Sequence, residues 1–228
     1  MQTINVVKNL QDVAHRIREA EQQYDRPEGS VGLLAVSKTK SVAMIREAWE
    51  AGQQAFGENY AQELADKATQ LDDLAIEWHF IGPLQSNKTQ LIANTMAWFH
   101  SLDRLKIARR LSGQRAPHLP PLKICLQVNI SSEESKAGVS PMALENLASE
   151  VATLPNIQLR GLMAIPQPTT DRTQQRAAFR SLRQLLELLR EQHPSMDTLS
   201  MGMSGDLEAA VAEGATLVRI GTDIFGAR

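Results

Sequence analysis

Two lysines follow an apolar run in AVSKTK, residues 35–40, and two anion-binding signals lie far downstream in SMGMSGDLEAAVAEGA and RIGTDIFG. Leu34, Val36 and Lys38 share one face of an extended strand, and the first two read as core. This sets Lys38 ahead of Lys40, Lys88 and Lys136 as the lysine aimed inward; the plain alternative is a solvated strand end, since lysine is mostly exposed. Ser204, Gly205 and Asp206 open a helical pattern. Backbone N–H groups there, with a hydroxyl and a glycine that permits close approach, make an anion cradle, although Ser204 or Asp206 would serve equally as an N-cap. Gly221 and Thr222 close the last strand-like run. An amine and an anion site on one rim are the parts needed to hold a phosphorylated carbonyl compound as a Schiff base, because a neutral lysine amine attacks an aldehyde.

The elements that must bring these residues together are legible as an alternation. After an N-terminal helical stretch, β-rich runs such as VGLLAVSK, QAFGEN, IEWHFIGP, AWFHSL, LKICLQVNI, QLRGLMAI, TLSMGM and ATLVRIG are separated by amphipathic segments. Eight strands alternating with helices in this length predict a single (β/α)₈ TIM barrel over residues 1–228 with an extra N-terminal helix, an open doubly wound sheet being the alternative. Ligand chemistry in such barrels sits at the C-terminal strand ends. Lys38, the Gly57–Glu58–Asn59 stretch, His79, Asn129, Met163, Ser204, Arg219, Gly221 and Thr222 all fall at or near such ends. The Pro-rich stretches SGQRAPHLPP and PQPTTDRTQ read as exposed loops.

Composition narrows the ligand. The chain has 228 residues, a formal net charge of −2 and 4% aromatic residues, with no basic run. Neither the charge footprint nor the stacking platform of a nucleic-acid binder is evident, so a small molecule is expected. A single cysteine, Cys125, lies in the apolar run LKICLQVNI; it excludes an intrachain disulfide and fits a reduced, cytoplasmic setting. The amphipathic, charged N-terminus is unlike a signal peptide, and no apolar run reaches membrane-spanning length.

Taken together, AVSKTK, FGENYAQE, WHFIGPLQSNK, QVNISSEESKAG, RGLMAI, SMGMSGDLEAAVAEGATLVRIGT and IFGAR resemble the pyridoxal 5′-phosphate (PLP) homeostasis proteins, relatives of the N-terminal barrel of alanine racemase. The likeness extends over nearly the whole chain and rests on the ordered set rather than on any one motif. It implies a barrel holding PLP covalently as an internal aldimine on Lys38. It further implies that Ser204, Gly221 and Thr222 hold the phosphate and that Arg219 faces the pyridine nitrogen. Asn59 and His79 would line the same mouth and Met163 would pack near the ring. Each has a structural alternative: a helix cap, a satisfied interior imidazole and an apolar strand residue, respectively. Glu58 is equally a rim salt bridge, and Lys136 in the SKAG turn is a weak candidate for a second PLP site against a solvated loop lysine.

Arg219 stays protonated and can donate to a ring nitrogen without delivering a proton to it, which makes the ring a poorer electron sink. Racemisation also needs a second acid/base group on the opposite face. In the racemases resembled, that group is a tyrosine from a C-terminal domain, and this sequence ends at Arg228; its tyrosines are Tyr24 and Tyr60. A PLP carrier without catalytic turnover is therefore expected, monomeric, with transient contact to PLP-dependent apoenzymes. The alternatives are a racemase of low or narrow activity, using Lys38 with water or Tyr60, and, more distantly, a lysine-dependent aldolase acting on a sugar phosphate. Colour would separate these, since a PLP imine is yellow.

Overall fold

The computed structural model describes residues 4–131 and 137–227. Helix α1 (Val6–Gln23) precedes a series in which strands and helices alternate: β1 (Gly32–Val36), α2 (Val42–Glu50), β2 (Ala55–Glu58), α3 (Ala61–Gln70) and β3 (Glu77–Phe80). A short 3₁₀ turn at Ser86–Lys88 runs into α4 (Thr89–Ile92), followed by β4 (Trp98–Leu102), α5 (Leu105–Gln114), β5 (Leu122–Gln127) and α6 (Pro141–Ala152). The chain closes with β6 (Ile157–Met163), α7 (Arg172–Arg190), β7 (Thr198–Ser200), α8 (Leu207–Ala212), β8 (Leu217–Ile220) and α9 (Thr222–Phe225). The strands pair in parallel in chain order, and β8 returns to β1, so the sheet is a closed barrel rather than the open alternative. Among the described residues, no helix is long and apolar enough to cross a membrane.

The two-residue side-chain period divides each strand between two environments. Ala35, Phe56, Trp78, Phe80, Phe99, Ile124, Leu126, Leu162, Val218 and Ile220 join the main apolar core that packs the strands against the helices. A second, smaller apolar cluster contains Trp98, Cys125 and Met163, residues of the other parity on β4, β5 and β6. Around it the barrel interior is polar: His79, His100, Ser200 and Arg219 are all buried. Close approach explains two glycines. A Cβ on Gly82 would lie 2.0 Å from the Asn59 carbonyl oxygen, and one on Gly161 would lie 1.9 Å from that of Thr198, so neither position accommodates a side chain.

Helix α1 begins at an Asn5 cap that accepts the Lys8 N–H at 2.9 Å and buries Val6, Leu10, Val13, Ile17 and Ala20 at helical spacing. Its Arg16 pairs with Glu208 of α8 at 2.9 Å and Asp223 of α9 at 2.7 Å, and donates to the Ser204 carbonyl at 3.1 Å. The added helix thus ties down the loops that follow β7 and β8.

Cys125 is fully buried, and loss of hydration pushes its thiol up to about 12. A thiolate-directed reagent should leave the native protein unmodified and label the thiol only after denaturation, as read by mass spectrometry of the intact chain.

Candidate cofactor site

One cavity of about 280 Å³ opens at the C-terminal end of the barrel; its wall includes Lys38, Asn59, Ser204, Arg219, Gly221 and Thr222. Six of the eight residues singled out from sequence therefore share one space, with apolar wall from Val36, Ile81, Ile165 and Met203.

Lys38 lies two residues beyond the end of β1, after Ser37, and its side chain is partly buried. Its amine has no hydrogen-bond or ion-pair partner among the described residues. Lys40, which lines the same cavity, is instead engaged: its Nζ donates to the carbonyls of Gly226 at 2.8 Å and Ala227 at 2.9 Å. The backbone around Lys38 is held from both sides. Lys67 Nζ donates to the Ser37 carbonyl at 2.7 Å, to Glu58 at 2.7 Å and to Glu63 at 2.7 Å, while the Ser37 hydroxyl donates to Glu58 at 2.6 Å. On the other side the Thr39 N–H donates to Glu63. Thr39 has φ +62°, a left-handed conformation unfavourable for a β-branched residue and tolerated where surrounding bonds over-determine it. Glu58 is thus a buried partner of Lys67 beneath α3. Burial pushes its carboxyl up, against the attraction of the Lys67 ammonium.

Across the cavity, the backbone N–H groups of Ser204, Gly205 and Thr222 make no hydrogen bond with the described residues, and a Cβ on Gly205 would meet only open space. The capping alternative is not realised for Ser204 and Asp206. The first residue before α8 is Asp206, whose side chain caps no helix N–H and accepts the Met203 N–H instead. Asn59 does not cap α3 either; Tyr60 occupies that position, 53% exposed, and does not line the cavity. The Asn59 Oδ1 is buried and unpartnered, which leaves an acceptor available to a ligand.

Arg219 is buried at the cavity floor. Its Nη1 donates to the carbonyl and, at 2.9 Å, to the hydroxyl of Ser200, and its Nη2 donates to the Ala164 carbonyl at 3.0 Å. A guanidinium carries five N–H donors, so Nε–H and one Nη2–H remain without a described acceptor. Burial lowers its pKa to about 10, and it stays cationic at neutral pH.

The structure separates His79 and Met163 from the other six. Met163 is buried beside Trp98 and Cys125. His79 stacks on Trp98, with ring centroids 5.6 Å apart, and lines a different cavity at the N-terminal strand ends, with Glu77, Trp98, Arg160 and Asp197. In both cases the residue two positions later, Ile81 or Ile165, reaches the upper cavity. His79 and Met163 thus lie one pleat below the residues that line the cavity. Lys136 lies outside the described residues. Sequence reasoning missed Arg16, Glu63, Lys67, His100 and Ser200; of these, His100 and Ser200 were findable from inward parity on β4 and β7.

Glu77 sits at the lower opening. The His79 Nε2–H at 2.9 Å, with Lys123 nearby, outweighs its loss of hydration and holds its carboxyl down at about 2. A depressed folded-state pKa contributes stability that is present above the ordinary value and is lost as pH falls. Urea unfolding should therefore show stability declining between about 4.5 and about 2, and Glu77→Gln should flatten that decline.

Comparison with known proteins places this geometry in context. The family model described as alanine racemase, N-terminal domain, matches residues 9–228. A pyridoxal phosphate homeostasis protein of Pseudomonas aeruginosa is 59% identical over 223 residues, 98% of this chain and 96% of the relative. One from Vibrio cholerae is 52% identical over 228 residues, covering 98% and 97%. The solved structure of PipY from Synechococcus elongatus with PLP bound superposes with a TM-score of 0.83 at 37% identity, covering 97% of this chain and 100% of that one.

Proposed function

Since this chain belongs to the family of the pyridoxal phosphate homeostasis proteins, built on the alanine racemase N-terminal domain, we propose that it holds PLP covalently through Lys38 and acts as an intracellular PLP carrier without catalytic turnover. The observation that carries this reading is the convergence on one cavity of a primary amine, backbone N–H groups and a buried arginine whose donors are not all taken up by the described residues. When bound, PLP supplies an aldehyde that condenses reversibly with primary amines, and a phosphate.

The residues present fit that group. Lys38 offers the amine, and Ser204, Gly221 and Thr222 surround the end suited to an anion. Arg219 would meet the ring nitrogen with a donor that it does not release, and the buried Asn59 Oδ1 would accept a hydrogen bond. Ile81, Ile165 and Met203 supply apolar wall, which limits water around the amine. Arg16 holds the Ser204 loop from behind, and the Lys67–Glu58–Glu63 network fixes the backbone on either side of Lys38.

The absence of turnover is supported by what lines the cavity. Its titratable side chains among the described residues are Lys38, Lys40 and Arg219; Lys40 is committed to two carbonyls, and an arginine is a poor proton shuttle. Tyr60 stands outside, on the rim. A reactive aldehyde condenses with almost any amine, so sequestration on a protein limits side reactions and permits release to an acceptor amine. We place this role in the cytoplasm, in a monomer that contacts PLP-dependent apoenzymes transiently. Prolonged incubation with L-alanine and other amino acids, followed by chiral chromatography, should leave the L enantiomer unchanged; steady formation of the D enantiomer would establish the racemase alternative instead.

A further inference from the structure

A continuous line of buried hydrogen bonds runs from the lower opening of the barrel to the arginine at the cofactor cavity. Glu77 Oε1 lies 2.9 Å from His79 Nε2, His79 Nδ1 lies 2.8 Å from His100 Nε2, and His100 Nδ1 lies 2.8 Å from the Ser200 hydroxyl. That hydroxyl accepts from Arg219 Nη1 at 2.9 Å. The far end admits solvent, as the Glu77 side chain is 42% exposed, whereas His79, His100 and Ser200 are buried.

The ends dictate the direction. A carboxylate only accepts and a guanidinium only donates. Glu77 therefore requires His79 to carry its proton on Nε2, which leaves Nδ1 as an acceptor. His100 must then donate from Nε2 and accept at Nδ1, so the Ser200 hydroxyl points at His100 while its oxygen receives Arg219. Every link closes with both imidazoles neutral, and with no other assignment of neutral tautomers. Burial lowers both histidines from their ordinary range, His100 furthest, with the positive charge of Arg219 adding to the effect. Other groups face the line. Lys123 of β5 lies 3.4 Å from Glu77, Arg160 of β6 pairs with Asp197 beside Trp98, Cys125 of β5 lies in the interior, and Asp206 adds a favourable charge near Arg219.

We propose that Glu77, His79, His100 and Ser200 are positioning residues for Arg219, forming a one-directional hydrogen-bond line along the barrel axis that transmits the charge at the lower opening to the cofactor-facing guanidinium. Its relevance to the cofactor rests on the reading of the upper cavity given above; the line itself does not. A dipolar chain anchored on a carboxylate polarises each donor in turn, so Arg219 is held in place and partly compensated through the barrel as well as by local carbonyls.

The test uses the full-length protein and nuclear magnetic resonance of its nitrogens. His79 and His100 should both appear as neutral Nε2–H tautomers that do not titrate between roughly pH 5 and pH 8, where exposed histidines do. Detection of either as Nδ1–H, or as titrating there, overturns the line. Glu77→Gln, a substitution at a half-exposed position, should displace the Arg219 Nε–H resonance. Asp197→Asn removes a charge from the same opening without touching the line and should not. Equal displacement by both would reduce the effect to a general field and defeat the proposal. Ser200→Ala, which removes the last link but keeps the backbone carbonyl, should displace the same resonance and uncouple it from Glu77→Gln; Ser200→Thr should restore the coupling. Borohydride labelling of Lys38 by PLP is followed in parallel, since its loss in the unaltered protein would remove the cofactor reading while leaving the resonance tests of the line intact.

Discussion

Lys38→Ala should yield a colourless protein in which borohydride reduction after exposure to PLP leaves no labelled site-38 peptide, whereas Lys40→Ala should remain yellow and carry the label on Lys38. The two lysines line one cavity two residues apart, so proximity does not distinguish them. Their partners do: Lys40 Nζ is held by the Gly226 and Ala227 carbonyls, while the Lys38 amine has no described partner. Engaging Lys40 would require two hydrogen bonds to be given up first. Full absorbance of bound PLP in Lys38→Ala, or a label that maps to Lys40 in the unaltered protein, would refute the assignment. Residual non-covalent binding through Ser204, Thr222 and Arg219, which borohydride does not fix to the chain, is compatible with it, since those contacts do not depend on the covalent link.

The second large effect concerns stability. Lys67→Met should destabilise the fold by about 3–5 kcal/mol, the usual consequence of removing one partner from a buried ion pair. The Lys67 and Glu58 side chains are 6% and 0% exposed, and the same ammonium satisfies the Ser37 carbonyl and Glu63. Without it Glu58 retains, among the described residues, only the Ser37 hydroxyl. Burial already raises its pKa, so the folded state would take up a proton, and the loss should be smaller at acidic than at neutral pH. A Glu58→Leu/Lys67→Met double variant should recover much of the stability, because replacing both partners by apolar groups avoids the stranded charge. Urea unfolding measures all three proteins. Equal stability of Lys67→Met and the unaltered chain would show that the network contributes nothing and does not clamp the Lys38 backbone.

The separation of His79 and Met163 from the upper cavity has one cause. Parity along β3 and β6 correctly turned His79 and Met163 inward, but parity repeats every two residues and says nothing about depth along the barrel axis. Ile81 and Ile165, one pleat further along, reach the cavity. Arg219 lines it from within β8 because its side chain is long enough to span a layer. The Lys67 network was hidden for a different reason: an α3 lysine at helical spacing reads as a solvated face, and only the packing of that helix over the β1 and β2 ends buries it.

Periodicity and the order of short motifs were sufficient, without coordinates, for the alternating barrel and for bringing Lys38, Ser204, Gly221 and Thr222 to one rim, because these depend on local backbone geometry and on side-chain chemistry. Which lysine has no partner among the described residues, how deep each inward residue lies, and the joining of Glu77, His79, His100, Ser200 and Arg219 into one line were decided by the closure of the sheet. Barrel closure brings residues from β3, β4, β7 and β8 within hydrogen-bond distance across the interior, and those separations are set by strand register and stagger around the ring, which no single segment of sequence encodes.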